Sequence, residues 1–281
     1  MTYLVTGATG GFGGLALQFL KELVPQEEIY ALVRSEEKGA ALKEAGFHVR
    51  IGDYSDLDSM KEALTGIDRL LFVSGGTGNR QTEHTNVVKA AQEAGVSYIA
   101  YTSYAEATKS TTALAADHIF TEKLIGESGI AHTFLRNNWY LENELLLIGE
   151  ALKTGKFVYA AGEGKTGWAL RREYAEVAAH ALAGKDFPEI LELSGAPITY
   201  EALGAALKEA TGKDLEIVAT DDQGFVQHLV AGGLPQPVAE IFLTFQQDIR
   251  DNQLAVYSDD FEKALGKPLV SRVDGLKELL Q

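Results

Sequence analysis

Three glycines spaced three apart lie in Gly7-Ala8-Thr9-Gly10-Gly11-Phe12-Gly13, directly after the apolar stretch TYLVT. A glycine at the first position lets a strand turn sharply into a helix. At the second it lets backbone amides approach a diphosphate, and at the third it lets the helix pack close on the sheet. The helix that follows presents its positive end to an anion. The spacing therefore predicts a dinucleotide cradle over Gly7, Ala8, Thr9, Gly10, Gly11, Phe12 and Gly13. Glycine spacing alone also suits a plain turn, and the position after a buried strand at the start of a βαβ unit is what favours the cradle.

The next chemistry lies at the ends of the following strands. A carboxylate at the end of the second strand binds ribose hydroxyls, whereas a cation there accommodates a 2′-phosphate. This strand ends Leu32-Val33-Arg34, with Lys38 one turn on and no Asp or Glu at the last position. NADPH is thus expected in preference to NADH, the alternative being that Arg34 is an ordinary surface arginine. Asp53, in Gly52-Asp53-Tyr54, is placed either to meet the adenine amino group or to cap the helix starting near Ser55. Ser74, Gly75 and Gly76 close the fourth strand with small residues, as a switch-point crevice requires, although small residues also merely make turns.

The elements that must position these residues alternate in type. Short apolar runs at TYLVT, EIYALVR, HVRIG, RLLFVSG, SYIAYTS and HTFLRN are separated by helical patterns over Gly14 to Leu23, Glu36 to Ala45, Asp56 to Leu64, Gln81 to Ala94 and Ala113 to Glu127. That alternation predicts an α/β fold, a Rossmann-type doubly wound parallel sheet, with strands buried on both faces. The rhythm changes near Asn138. A helix is expected over Trp139 to Leu152, then short strands or loop in FVYAAGEGKTGWAL, a helix from Glu173 to Leu182, the strand EILEL, and a mostly helical, acidic remainder. The expected organisation is an NADP-binding domain over residues 1–137, to which a segment around 173–195 returns. Residues 138–281 would mainly form a smaller lobe covering the substrate over the sheet's carboxyl edge.

Composition narrows the classes. The 281 residues carry a formal charge of −15, which disfavours nucleic acid and anionic membrane as partners. There is no cysteine, so disulfides, iron–sulfur clusters, thiolate zinc and cysteine nucleophiles are excluded. None of the six histidines stands at a ligand spacing such as H-x-x-x-H, and no metal is expected. No stretch reaches membrane-spanning length, and the N-terminus enters a strand without a basic or cleavable segment, so a cytoplasmic location is expected.

GATGGFG, the ending ALVR, GDY after the third strand, AYTS on the fifth, HIFTEK and LRNNWYLEN together resemble one family. The chain is similar to the NmrA-like atypical short-chain dehydrogenases/reductases, particularly NAD(P)H:quinone oxidoreductase type 2 and triphenylmethane reductase. LRNNWYLEN, AAGEGK and the later Arg171 and Glu173 are its most discriminating parts. The resemblance implies one NADPH site, no flavin or metal, and hydride transfer to a quinone-like acceptor, with a homodimer common among such proteins. It places Gly7 to Phe12, Arg34, Ser74 to Gly76 and Asn137 to Glu142 around the cofactor, with Arg171 nearby, and Gly13, Asp53, Thr102, Ser103 and Lys123 complete the expected cofactor site. Lys123 stands where the family's wider class keeps the lysine of its Tyr-x-x-x-Lys pair, and a catalytic contribution is expected from it.

The sequence departs from that pair at Ile119, four residues before Lys123. Ketone chemistry needs a matched proton donor, which is missing there. A quinone needs one less, because hydride addition yields a stabilised hydroquinone anion. An easily reduced, conjugated acceptor is the resulting expectation. An NAD(P)-binding redox sensor without turnover would lack the tyrosine equally, whereas a sugar-nucleotide epimerase would need it.

Trp139, Tyr140 and Asn143 follow the sixth strand and could stack on and hydrogen-bond a planar acceptor, with Tyr104 beyond the fifth strand as a further candidate. Core packing is their alternative, as solvent exposure is for Lys123. His118 and His84 read as satisfied, partly buried histidines. Gly164-Lys165-Thr166 mimics the end of a phosphate-binding P-loop, but Tyr159 occupies the position five before Gly164 where the loop needs glycine.

Overall fold

The computed structural model describes residues 1–281, which form two compact units. Unit 1 comprises Met1–Asn137 and Arg171–Leu193, and unit 2 comprises Asn138–Leu170 and Ser194–Gln281.

Unit 1 runs β1 (Tyr3–Val5), α1 (Gly11–Leu23), β2 (Ile29–Val33), α2 (Glu36–Glu44), β3 (His48–Ile51), α3 (Leu57–Leu64), β4 (Arg69–Phe72), α4 (Arg80–Ala94), β5 (Tyr98–Tyr104), α5 (Ala113–Glu127) and β6 (Ala131–Asn137). In unit 2 follow α6 (Leu145–Thr154), β7 (Lys156–Tyr159) and β8 (Lys165–Thr166), after which the chain re-enters unit 1 as α7 (Arg171–Ala183) and β9 (Ile190–Leu193). The seven-stranded sheet has the order β3-β2-β1-β4-β5-β6-β9, with every neighbouring pair parallel. This is the doubly wound fold expected from the alternation of apolar runs and helices. Helices α1 and α7 pack together, while α3, α4 and α5 form a separate packed row. Leu4, Val5, Leu70, Leu71, Phe72, Ile99 and Tyr101 are fully buried, as strands sandwiched between helix layers require.

The order of the sheet reverses between β1 and β4, whose connections leave in opposite directions. A crevice opens at that switch point beyond the strands' carboxyl ends, the place where such sheets take ligands. The turn into it depends on glycine at two positions. Gly7 has φ +59°, a left-handed conformation, and its amide oxygen accepts from Gly10 N–H at 2.8 Å. At Gly13 a Cβ would lie 2.3 Å from that same oxygen, so α1 could not approach the loop so closely with any other residue.

Unit 2 also contains β10 (Ile198–Thr199), α8 (Tyr200–Thr211), β11 (Glu216–Ala219), α9 (Asp222–Ala231), α10 (Gln236–Arg250), α11 (Asp260–Leu265) and α12 (Arg272–Leu279). Two small sheets join β7 to β11 in parallel and β8 to β10 antiparallel. The P-loop mimic thus ends in β8, one short strand paired with β10, and Gly164 is required for packing because a Cβ there would meet Ile249 O at 2.1 Å.

The helix expected from Trp139 begins later. Residues Leu141–Glu144 form a single 3-10 turn and α6 starts at Leu145. The reason lies in the backbone of the preceding residues. Trp139 N–H donates to Asn138 Oδ1 at 2.7 Å, Tyr140 bridges Ala169, and Leu141 N–H donates to Ala169 O at 2.8 Å. Ala169 N–H in turn donates to Trp139 O at 3.4 Å, the carbonyl that a helix starting there would use in its own first turn. Helices α1 and α7 begin at Gly11 and Arg171, a few residues before the starts read from the sequence; in α1 the added Gly11, Phe12 and Gly13 are weak helix formers carried by packing, whereas in α7 the added arginines favour helix themselves.

Candidate functional site

A groove of about 590 Å³ follows the carboxyl ends of β1 to β4 in unit 1. Gly7, Thr9, Gly10, Gly11, Phe12 and Gly13 form one wall, Arg34, Lys38 and Asp53 lie toward β2 and β3, and Ser74 to Thr77 continue from β4. Arg171, from the start of α7, closes it beside Gly11, where a Cβ would lie 2.8 Å from the guanidinium. The N-cap of α1, Gly10, supplies no side-chain cap and the first turn has no acid. A helix end left in that state is suited to an anion. Exposed Arg34 and Lys38 make no ion pair with a protein carboxylate, so both remain available to a further phosphate. The donor set therefore fits a phosphorylated dinucleotide.

Asp53 lines the groove, but it does not cap α3. Its Oδ1 accepts from Ser55 N–H at 2.9 Å and Ser55 Oγ at 2.7 Å, while Asp56 is the cap, accepting from Asp58 and Ser59 N–H. The two bonds from Ser55 hold the Asp53 carboxyl below its usual range, aided more weakly by Arg34.

Beneath the groove the loop ends are fixed by buried side chains. The Tyr54 hydroxyl, whose pKa burial raises well above its usual range, bonds Thr6 Oγ1 and donates to Val73 O at 2.9 Å. Thr6 Oγ1 also accepts from Val73 N–H at 2.9 Å, so one tyrosine ties the ends of β1 and β4 together at the switch point. Ser74 N–H donates to Thr102 Oγ1 at 2.8 Å, and Gly75 N–H donates to His84 Nε2 at 3.1 Å. Arg80 donates twice to Gly75 O, at 3.0 and 2.7 Å. The loop after β4 is thereby presented on a rigid support rather than left mobile.

The two histidines of this support are neutral. Because Gly75 donates to Nε2, the His84 proton sits on Nδ1 and is given to Thr121 Oγ1 at 2.7 Å. His118 lies between Arg80 and the Tyr101 hydroxyl, at 3.3 and 2.9 Å. Burial, and then the charge of Arg80, lowers each imidazole pKa to about 3. The unfolded chain binds these protons near pH 6.5 and the folded chain does not until about pH 3, so protonation favours unfolding across that window. Their contribution to stability is complete above pH 6.5 and declines as pH falls toward 3. Thermal melting between pH 7 and pH 4.5 should show a shallower decline for His84→Gln than for the unchanged protein. Equal slopes would remove His84 from this account.

Not every expected residue reaches the groove. Ala8 is buried beneath the loop, and Thr102 acts one step back through Ser74. Ser103 is buried and donates to Glu122 Oε1 at 2.6 Å, and Asn137 is buried with its backbone oxygen accepting from Ala105 N–H. Lys123 is 73% exposed, with its amine 3.8 Å from Glu127, and it shares an exposed strip of α5 with Ile119. The inward face of that helix is taken by His118, Thr121 and Glu122, which is why the i, i+4 pair at 119 and 123 turns outward. Tyr104 is buried and stacks on His118. Conversely, Leu32, Val33, Gly52, Tyr54, Val73, Thr77 and Glu83 line the groove without having been singled out. Tyr54 carried a usable signal, since it adjoins Asp53 at the end of a strand, but an aromatic there reads equally as core.

Unit 2 has its own concave feature. Trp139, Asn143, Glu144, Leu147, Tyr200, Phe242, Phe245 and Gln246 line a narrow cleft. Trp139 and Phe245 approach to 5.1 Å between ring centroids, and Trp139, Asn143, Phe242 and Phe245 are each partly exposed. Tyr140 is absent from this lining and is held instead by its bridge to Ala169.

Comparison with known proteins agrees with the groove. Residues 7–185 match the NAD(P)H-binding family. The chain is 36% identical to quinone oxidoreductase 2 of Escherichia coli, over 98% of this chain and 97% of that one. It is similar in structure to the NADPH-dependent quinone oxidoreductase of E. coli complexed with NADPH, with a TM-score of 0.93, 36% identity and 100% of both chains covered. Against the Citrobacter triphenylmethane reductase complexed with NADP(H), the TM-score is 0.93 at 35% identity over 99% of each chain. Matching sequence, glycine cradle and sheet order together place this chain in the NAD(P)H-binding, NmrA-like family of Rossmann-fold oxidoreductases.

Proposed function

We propose that the protein is an NADPH-dependent reductase that delivers hydride to a quinone or similarly conjugated acceptor. The observation that carries this reading is the donor set of the groove, an uncapped glycine-rich helix end together with Arg34 and Lys38 where an NADH site would have a carboxylate. When bound, NADPH supplies the hydride and needs neither flavin nor metal to do so. The amides at the α1 terminus receive the diphosphate, and Arg34 with Lys38 receives the 2′-phosphate. Arg80, His84, Thr102 and Tyr54 hold the surrounding loops in place. Trp139 and Asn143 are the side chains assigned to the acceptor, one by stacking and one by hydrogen bonding. Exposed Ile119 offers no phenolic acid, which favours an acceptor whose reduced anion is stable by itself. No helix is long and apolar enough to cross a membrane, and a cytoplasmic reductase is the setting we assign.

The test is NADPH consumption by purified protein with a panel of quinones, alongside binding of NADPH and NADP⁺. Quinone-dependent oxidation, faster with NADPH than with NADH, is expected. Tight cofactor binding without turnover on quinones, triarylmethyl dyes or enones would instead identify a redox sensor.

A further inference from the structure

The chain contains two tryptophans, and both indole N–H groups point at one atom. Glu144 Oε1 accepts from Trp139 Nε1 at 3.0 Å, from Trp168 Nε1 at 3.0 Å and from the Tyr200 hydroxyl at 3.0 Å. Glu144 is 2% exposed, and Trp168 and Tyr200 are fully buried, with their rings edge-to-face at 5.0 Å. Trp139 is the outermost of the three donors, reaching from this buried hub to the partly exposed cleft beside Phe245. Its ring plane is therefore set at one end by an aromatic neighbour and at the other by a single carboxylate oxygen.

We propose that Glu144 is a positioning residue for the acceptor, fixing the Trp139 ring against which a planar acceptor stacks. This rests on the assignment of Trp139 to the acceptor made above. Burying a carboxylate is unfavourable without such a set of donors, and the three bonds found here are what make the site tolerable. They also make it responsive. Burial raises the Glu144 pKa to about 7, with the three donors opposing that rise. The groups facing it are the two indoles, the Tyr200 hydroxyl from α8, and Gln246 from α10, which accepts from Ala160 and Ala161 N–H and also contacts Tyr200. Of these only Tyr200 is titratable, and burial together with Glu144 holds it well above its ordinary range. Around neutral pH Glu144 thus changes charge alone. Charge-assisted bonds to the ionised carboxylate are about twice as strong as those to the neutral acid. Trp139 is held firmly above the transition and loosely below it.

The experiment uses the unliganded full chain, so that it does not depend on turnover. Tryptophan fluorescence is titrated between pH 5.5 and pH 8.5, and menadione affinity is read from quenching of the same signal. The wild type should show one transition near pH 7 and bind menadione about tenfold more tightly at the alkaline end. Glu144→Gln keeps an oxygen acceptor without the charge. It should lose both the fluorescence transition and the pH dependence of binding, remaining near the wild type's acidic value. Its melting temperature serves as the check on folding. If the wild type's affinity is independent of pH, or if folded Glu144→Gln retains the same pH dependence, the proposal is overturned. Should Glu144→Gln not fold, Tyr200→Phe removes one of the three bonds and must raise the fluorescence midpoint above the wild-type value, an unchanged midpoint overturning the proposal. Quenching that follows the expected pattern without any NADPH oxidation would leave Glu144 in place and refute the reductase reading instead.

Discussion

Replacing Arg34 by Ala should weaken NADPH binding about 10- to 100-fold, while NADH binding changes by less than about threefold. The contrast follows from the ligand, because only NADPH carries the 2′-phosphate. It also follows from the site, because Arg34 lines the groove at the end of β2 and makes no ion pair there, its one carboxylate neighbour being the weakly interacting Asp53. Lys38, one turn into α2, lines the same wall and should keep part of the preference as a point charge without a bidentate fork. Titration of both reduced cofactors into the two proteins gives the answer. Equal losses for NADPH and NADH would mean that Arg34 does not read the phosphate.

Replacing Arg136 by Met should destabilise the fold by about 3–5 kcal/mol, because it leaves buried carboxylates without their cation. Arg136 lies on β6, 7% exposed, and donates to Glu122 of α5 at 2.9 and 2.7 Å and to Glu192 of β9 at 2.9 Å. Glu122 in turn accepts from Ser103 on β5, and Glu192 accepts from the backbone of Glu106, which has φ +44°. One guanidinium therefore joins three strands, a helix and a strained turn at one end of the sheet. The variant keeps an apolar stem and removes the guanidinium with its charge and its donors, so lost packing of the stem is a small part of the effect. A fall in melting temperature on the order of 10 °C is expected. Adding Glu122→Gln and Glu192→Gln to Arg136→Met should recover much of the loss, since the cost is that of unpaired charge. A single variant within about 1 kcal/mol of the original would show the cluster to be solvated in solution.

These two arginines mark how far the sequence could be read. The place of Arg34 on the groove wall was legible because it is local: it follows a strand in a βαβ unit, and strand, turn and helix are contiguous in the chain. Arg136 was visible only as part of LRNNWYLEN, since its partners are 14 and 56 residues away and nothing in the spacing links them. Lys123 shows what local spacing leaves open. Its position in the chain suggested a catalytic pair, but the inward face of α5 was already occupied by His118, Thr121 and Glu122. Which face of a helix turns inward depends on the neighbouring elements, and they are not written in the helix itself.

By itself the sequence determined the parallel doubly wound sheet, the glycine cradle and the choice of cation at the end of β2. Each depends on residues within one or two turns of one another, where hydrophobic periodicity and backbone freedom act directly. The tertiary structure alone decided that Tyr54 ties β1 to β4, that His84 and Arg80 carry the loop after β4, and that Tyr140 enters an extended bridge rather than a helix. It also decided that two tryptophans and a tyrosine from three separate segments meet on Glu144. Such groups are brought together by burial of the surrounding apolar surface, and their polar atoms then take whatever partners the packing supplies.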